Sequence, residues 1–109
     1  MNDINFTIRQ LKHHAIQRFK SRYNLDLTHR EYCDLCAVIK QRPKTQVISL
    51  NRYHDDYEEL AVLIYGNWVP VVWWCTHSII KTVLPPEVIG KYHAKINAVM
   101  SKIRKIEPL

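Results

Sequence analysis

The spacing of apolar residues along this chain switches twice, and each switch falls at a proline. Before Pro43 the apolar residues recur every three or four positions; from Thr45 to Leu84 they alternate or run together in short stretches; beyond Pro85-Pro86 the wider spacing returns. The first pattern is that of a helix with one buried side and the second that of strands, because side chains repeat every 3.6 residues on a helix and every two on a strand. Helices and strands are therefore segregated, which predicts an α+β fold of order α-α-β-β-β-β-α: two N-terminal helices, a four-stranded antiparallel sheet and a C-terminal helix. The helices are expected across one face of the sheet, with the other face left free.

The first helix is expected over residues 7–23, carried by Ile8, Leu11, Ala15, Phe19 and Tyr23 and ended at Asn24. Thr28 and Glu31 form a capping box, T-x-x-E, ahead of a second helix whose inward stripe is Tyr32, Leu35, Cys36 and Ile39. Ile48 and Leu50 share one face of a strand ending near Tyr53, and His54-Asp55-Asp56 is a turn. Residues 57–65 put Leu60, Val62 and Ile64 on one face and Glu59, Ala61, Leu63 and Tyr65 on the other, and Gly66-Asn67 closes a hairpin. Residues 68–75 form a strand apolar enough to lie centrally, although Pro70 removes a donor and predicts an edge or a bulge. After a fourth strand over 79–84, one closing helix carries Val88, Ile89, Tyr92, Ile96, Val99, Met100 and Ile103 inward, with Lys91, Lys95, Lys102, Arg104 and Lys105 elsewhere around it.

A length of 109 residues suits one domain, 1–109, with one core. Sixteen Lys and Arg against ten Asp and Glu give a formal charge of +6, which makes a polyanion the first partner to consider. Three cysteines and no charged-then-apolar leader argue for a cytoplasmic protein rather than a secreted disulfide framework, and the apolar run from Trp68 to Cys75 is too short to span a membrane.

Local chemistry sharpens the charge argument. At about 100° per residue, Arg18 and Arg22 fall close to Leu11 around the first helix, and His14 borders the same margin. Arg9, His13, Gln17 and Lys20 point largely away. Charged groups set against an apolar stripe need partners. A phosphate is one; an internal carboxylate from Asp26, Asp34 or Glu59 is the other. On the fourth strand Lys81 and Thr82 are expected on opposite faces, so one of them shares the free face, and Thr82 can offer a hydroxyl to an oxyanion.

The pattern His14-Ala15-x-x-Arg18-Phe19-x-x-Arg22-Tyr23, followed by a second helix, four strands and Thr82-Val83-Leu84-Pro85, resembles the small phage- and toxin-associated domains of the barnase/EndoU/colicin/RelE ribonuclease superfamily. The likeness extends over roughly residues 7–86. It implies RNA cleavage without a metal or other cofactor, the ribose 2′-hydroxyl attacking the adjacent phosphate. His14 then matches the helix histidine as general acid/base, and Arg18 and Thr82 match the groups that stabilise the phosphate. RNA-binding candidates are Arg22, Arg52, Tyr65, Lys81 and one of Trp73 and Trp74, which face opposite ways.

Two metal sites can be written and neither is favoured. Cys33 and Cys36 lie within a helix, with no turn to converge their thiolates with Cys75 and His77. Asp55, Asp56, Glu58 and Glu59 flank a hairpin turn, where Asp is favoured for backbone reasons. His13, His29, His54 and His93 read as surface residues and His77 as a loop residue. Beside RNA cleavage stands a non-enzymatic binder that occludes a host or defence protein or RNA, since the basic closing helix, the exposed aromatics and the acidic hairpin suit an interface equally. A DNA-binding regulator ranks below both, because the two N-terminal helices lack the short Gly-containing turn of a helix-turn-helix.

Overall fold

The computed structural model describes residues 3–52 and 54–106, with side chains over 7–52 and 54–102. Helices α1 (Asp3–Tyr23) and α2 (His29–Gln41) precede strands β1 (Val47–Asn51), β2 (Tyr57–Ile64), β3 (Asn67–Trp74) and β4 (Ile79–Val83), and α3 (Glu87–Lys91) and α4 (His93–Ile106) close the chain. The strand end expected at Tyr53 and the side chains of Ile103, Arg104 and Lys105 lie outside the described residues. The capping box forms in full: the amide of Glu31 donates to the Thr28 hydroxyl and the amide of Thr28 to the Glu31 carboxylate.

The strands form one antiparallel sheet in the order β1-β2-β3-β4. Leu60, Val62, Val71, Trp73, Ile80 and Val83 line its first face and pack against Ala15 and Phe19 of α1 and Tyr32, Cys36 and Ile39 of α2. The second face is not free. Ile48, Leu50 and Ala61 meet Ile96 of α4, with Ile89, Tyr92, Val99 and Met100 around them. The apolar stripe of the closing helices has to be buried somewhere, and α1 and α2 already fill the first face. This cover reaches Glu59, whose carboxylate accepts the Tyr92 hydroxyl at 2.9 Å, and Leu50, whose carbonyl accepts the Lys95 ammonium at 2.9 Å. The closing segment is two helices rather than one, broken at Tyr92 (φ −109°, ψ 17°). The apolar spacing continues unchanged across that break and so does not register it.

Pro70 sits in β3, a central strand, opposite Ala61, and is buried. The edge or bulge expected there is absent because β4 stops just where Pro70 would need a partner. Leu84, the residue after β4, donates its amide to the Pro70 carbonyl at 2.9 Å. In such an antiparallel pair the return bond would run from residue 70 to the Leu84 carbonyl, and proline cannot make it. The Tyr23 hydroxyl fills that place, 2.6 Å from the Leu84 oxygen. The bulge lies instead in β4: Val72 faces Thr82 while Trp73 faces Ile80, leaving Lys81 as the extra residue. The β2–β3 turn also falls one residue earlier than expected, at Tyr65-Gly66 with φ values of 48° and 81°. Two left-handed residues match the twist of the flanking strands, which a Gly66-Asn67 turn with Tyr65 still in the strand would not.

Candidate nucleic-acid interface

Helix α1 lies alongside β4 on the first face of the sheet. Its C-terminal end is fixed there by two bonds, Tyr23 to Leu84 and Arg22 Nη1 to the Val83 carbonyl at 2.7 Å. Residues four apart stack one turn above another on a helix, so anchoring Arg22 aligns Arg18 and His14 with the same strand. All three are half-buried, and Arg18 Nε donates to His14 Nε2 at 3.3 Å. To accept that bond Nε2 must carry a lone pair, which puts the ring proton on Nδ1.

Among the described residues no carboxylate lies within ion-pair distance of this row. The one ion pair found among the described residues joins Arg42 to Glu58, 2.5 Å apart. Arg22 is tied to a backbone carbonyl, and Glu59, one of its three expected acidic partners, is engaged by Tyr92. Further along α1, Arg9 and Lys12 line a cleft of about 240 Å³ with Ile8 and with His29 at the start of α2. Nothing in the spacing of residues pairs His29 with α1; only the approach of the two helices does.

Thr82 stands elsewhere. In register with Val72, it faces away from Val83 and hence away from α1. Strand β4 separates it from His14 and Arg18, so the three expected catalytic groups do not converge. Lys81 reaches Thr82's side of the sheet as well, contrary to strict alternation, because the bulge gives two consecutive residues the same face; its ammonium lies 4.2 Å from the centre of the Tyr57 ring.

The remaining candidates are scattered. Trp73 is 3% exposed and belongs to the first-face core, while half-buried Trp74 faces the other way, which removes Trp73 from any binding surface. Tyr65 is 74% exposed at the far end of the β2–β3 hairpin from Trp74. Arg52 is exposed and bonds the Asp55 carbonyl at 3.2 Å within its own turn. Cys36 is buried in the core, which pushes its thiol pKa up, and Cys33 is exposed on the same helix.

Glu58 was missed as a site of its own. Alternation with Leu60 puts it on the first face, where it is 6% exposed and accepts bonds from the Ser49 hydroxyl and from Arg42. Burial alone would raise its pKa; the bonds from Ser49 and Arg42 and the charges of Arg42 and Arg52 outweigh it and hold the carboxyl below its usual value. Arg42 ends α2 in the left-handed region (φ 55°, ψ 51°). This is a structural ion pair beneath the β1–β2 hairpin.

No helix among the described residues is long and apolar enough to cross a membrane. Comparison with protein-family models, curated proteins and solved structures found no match to this chain.

Proposed function

We propose that this chain is a cytoplasmic RNA-binding domain of the endoribonuclease-like, phage or toxin type, and that α1 grips the phosphate backbone of the RNA. The observation that carries this reading is the His14/Arg18/Arg22 row, half-buried along β4 with no carboxylate partner among the described residues. A partly desolvated guanidinium without an internal anion gains most from an external one, and phosphate accepts from it in the favoured geometry. Arg9, Lys12 and the formal charge of +6 add long-range attraction. The test is fluorescence anisotropy of a labelled single-stranded RNA at several salt concentrations. Arg18→Gln weakens binding several-fold and lowers the slope of log K against log salt by about 0.7, one phosphate contact on a single strand. RNA that fails to bind the wild type, or binds without salt dependence, rejects the proposal.

The His14–Arg18 pair favours cleavage as a second reading, because it sets an imidazole beside a cation, and Nε2 becomes the nitrogen that takes a proton once Arg18 turns to a phosphate. With Thr82 on the other side of β4, that reading rests on His14 and Arg18. Labelled RNA incubated in EDTA with wild type and with His14→Ala decides it. Cyclic-phosphate ends that vanish in His14→Ala support cleavage, and RNA left intact by both proteins rejects it while leaving the binding reading in place.

A further inference from the structure

The part of the second sheet face that α3 and α4 leave open carries a row of rings. Tyr57 and Trp74 stand opposite each other on β2 and β3, their ring centres 6.0 Å apart. His54 lies 5.4 Å from Tyr57, and His77 meets the Trp74 ring edge-on at 4.3 Å. The two loops that bear the histidines are tied together: Cys75 donates its amide to the Asp56 carbonyl at 2.7 Å, the Thr76 hydroxyl donates to the Asp56 carboxylate, and the Asp56 amide bonds His54 Nδ1 at 3.1 Å. The row is thus held in place before any partner arrives. Tyr57, Trp74, His77 and Lys81 are half-buried and His54 is exposed, so the rings are packed yet reachable.

Planar rings suit either a sugar or a nucleobase. What separates the two is the cation. The Lys81 ammonium stands within the row, 4.2 Å from the Tyr57 ring centre, on a chain of charge +6. A neutral sugar gains nothing from that charge, whereas each base of a nucleic acid brings a phosphate with it. Strand β4 carries Lys81 and also flanks the α1 row, so one strand of RNA passing over β4 meets both surfaces.

We propose that this end of the sheet is a stacking site for unpaired RNA bases, with Lys81 on the adjoining phosphate. The inference rests on the RNA reading above, and the two fail separately. The experiment compares a short oligo(A) RNA with inorganic polyphosphate, which offers the same charge and no bases. Tyr57→Leu, checked for an intact unfolding transition, weakens RNA binding about tenfold and changes polyphosphate binding less than about twofold, whereas Arg18→Gln weakens both. In the wild type, RNA quenches tryptophan emission and polyphosphate does not, and the quenching disappears in Trp74→Phe. Equal losses for both ligands, unchanged RNA binding by folded Tyr57→Leu, or no RNA quenching overturns the stacking site and leaves the phosphate grip standing. If the wild type binds neither ligand, both proposals fall.

Discussion

The hydroxyl of Tyr23 occupies the place that Pro70 leaves vacant: it bonds the Leu84 carbonyl at 2.6 Å, where an ordinary residue at position 70 would have supplied a backbone N–H. A proline in a central strand and a tyrosine at the end of the first helix are thereby one device. It sets where α1 lies on the sheet, and so where the row of His14, Arg18 and Arg22 runs.

Tyr23→Phe leaves the Leu84 oxygen without its donor and lowers unfolding free energy by about 1–2 kcal/mol. Burial is the main cause that pushes the phenol pKa up, to about 12, so the donor persists through neutral and mildly alkaline pH. Adding Pro70→Ala restores a backbone donor at that place. Urea unfolding of the two single variants and the double variant is expected to show coupling, with the double less destabilised than the sum.

Glu58→Gln removes the charge that faces Arg42 and one of the two oxygens that accept from Arg42 and Ser49. The Glu58 pKa is held below 4.5, its ordinary value, so the carboxylate's contribution is fully present above that value and is lost as pH falls through the lower folded pKa. Wild type is expected to exceed Glu58→Gln by about 1–2 kcal/mol at neutral pH, an amount tempered by the partial exposure of Arg42. The gap narrows below about pH 4.5. Chemical unfolding at several pH values measures it; a gap that widens on acidification contradicts the assignment.

Adjacent tryptophans respond differently. Trp73 fills the first-face core, and Trp73→Phe costs about 1–3 kcal/mol through the volume it vacates. The Trp74 indole N–H is shielded from solvent and has no acceptor among the described residues. Trp74→Phe removes that unsatisfied donor while keeping a ring, so stability is expected to change by less than about 1 kcal/mol, in either direction. Thermal melting of the two variants side by side checks this.

Arg22 and Arg18 also divide. Arg22→Gln loses the bond to the Val83 carbonyl and is expected to lower stability by about 1 kcal/mol, whereas Arg18→Gln leaves stability nearly unchanged. Calorimetry on both, beside the RNA titrations, shows which of the two cations holds the fold.

The fold class was legible because one signal, the change of apolar spacing at Pro43 and Pro85, governs it. Alternation separated Leu60 from Glu59 and Trp73 from Trp74, but could not say which of those faces was core until the helices were in place. Local rules failed where two distant segments decide the outcome. Pro70 reads as an edge signal, and nothing near it in sequence says that a helix 47 positions earlier supplies the missing donor. Lys81 and Thr82 read as opposite-facing because a bulge depends on pairing with β3, which periodicity does not encode. The proposed site suffered most from this: His14 and Arg18 share a helix and could be related by geometry, while Thr82 was joined to them by resemblance, across a strand that in fact divides them.

Strand β4 ends the sheet, yet the carbonyls of Ile80 and Val83 already hold Tyr32 and Arg22. An extended segment from another molecule that tried to pair as a fifth strand would meet acceptors in use and a line of positive charge. The contacts that seat α1 and α2 thus also deny this margin to self-association, so a chain rich in apolar strands is guarded against templated aggregation on that side by the bonds that fix its helices.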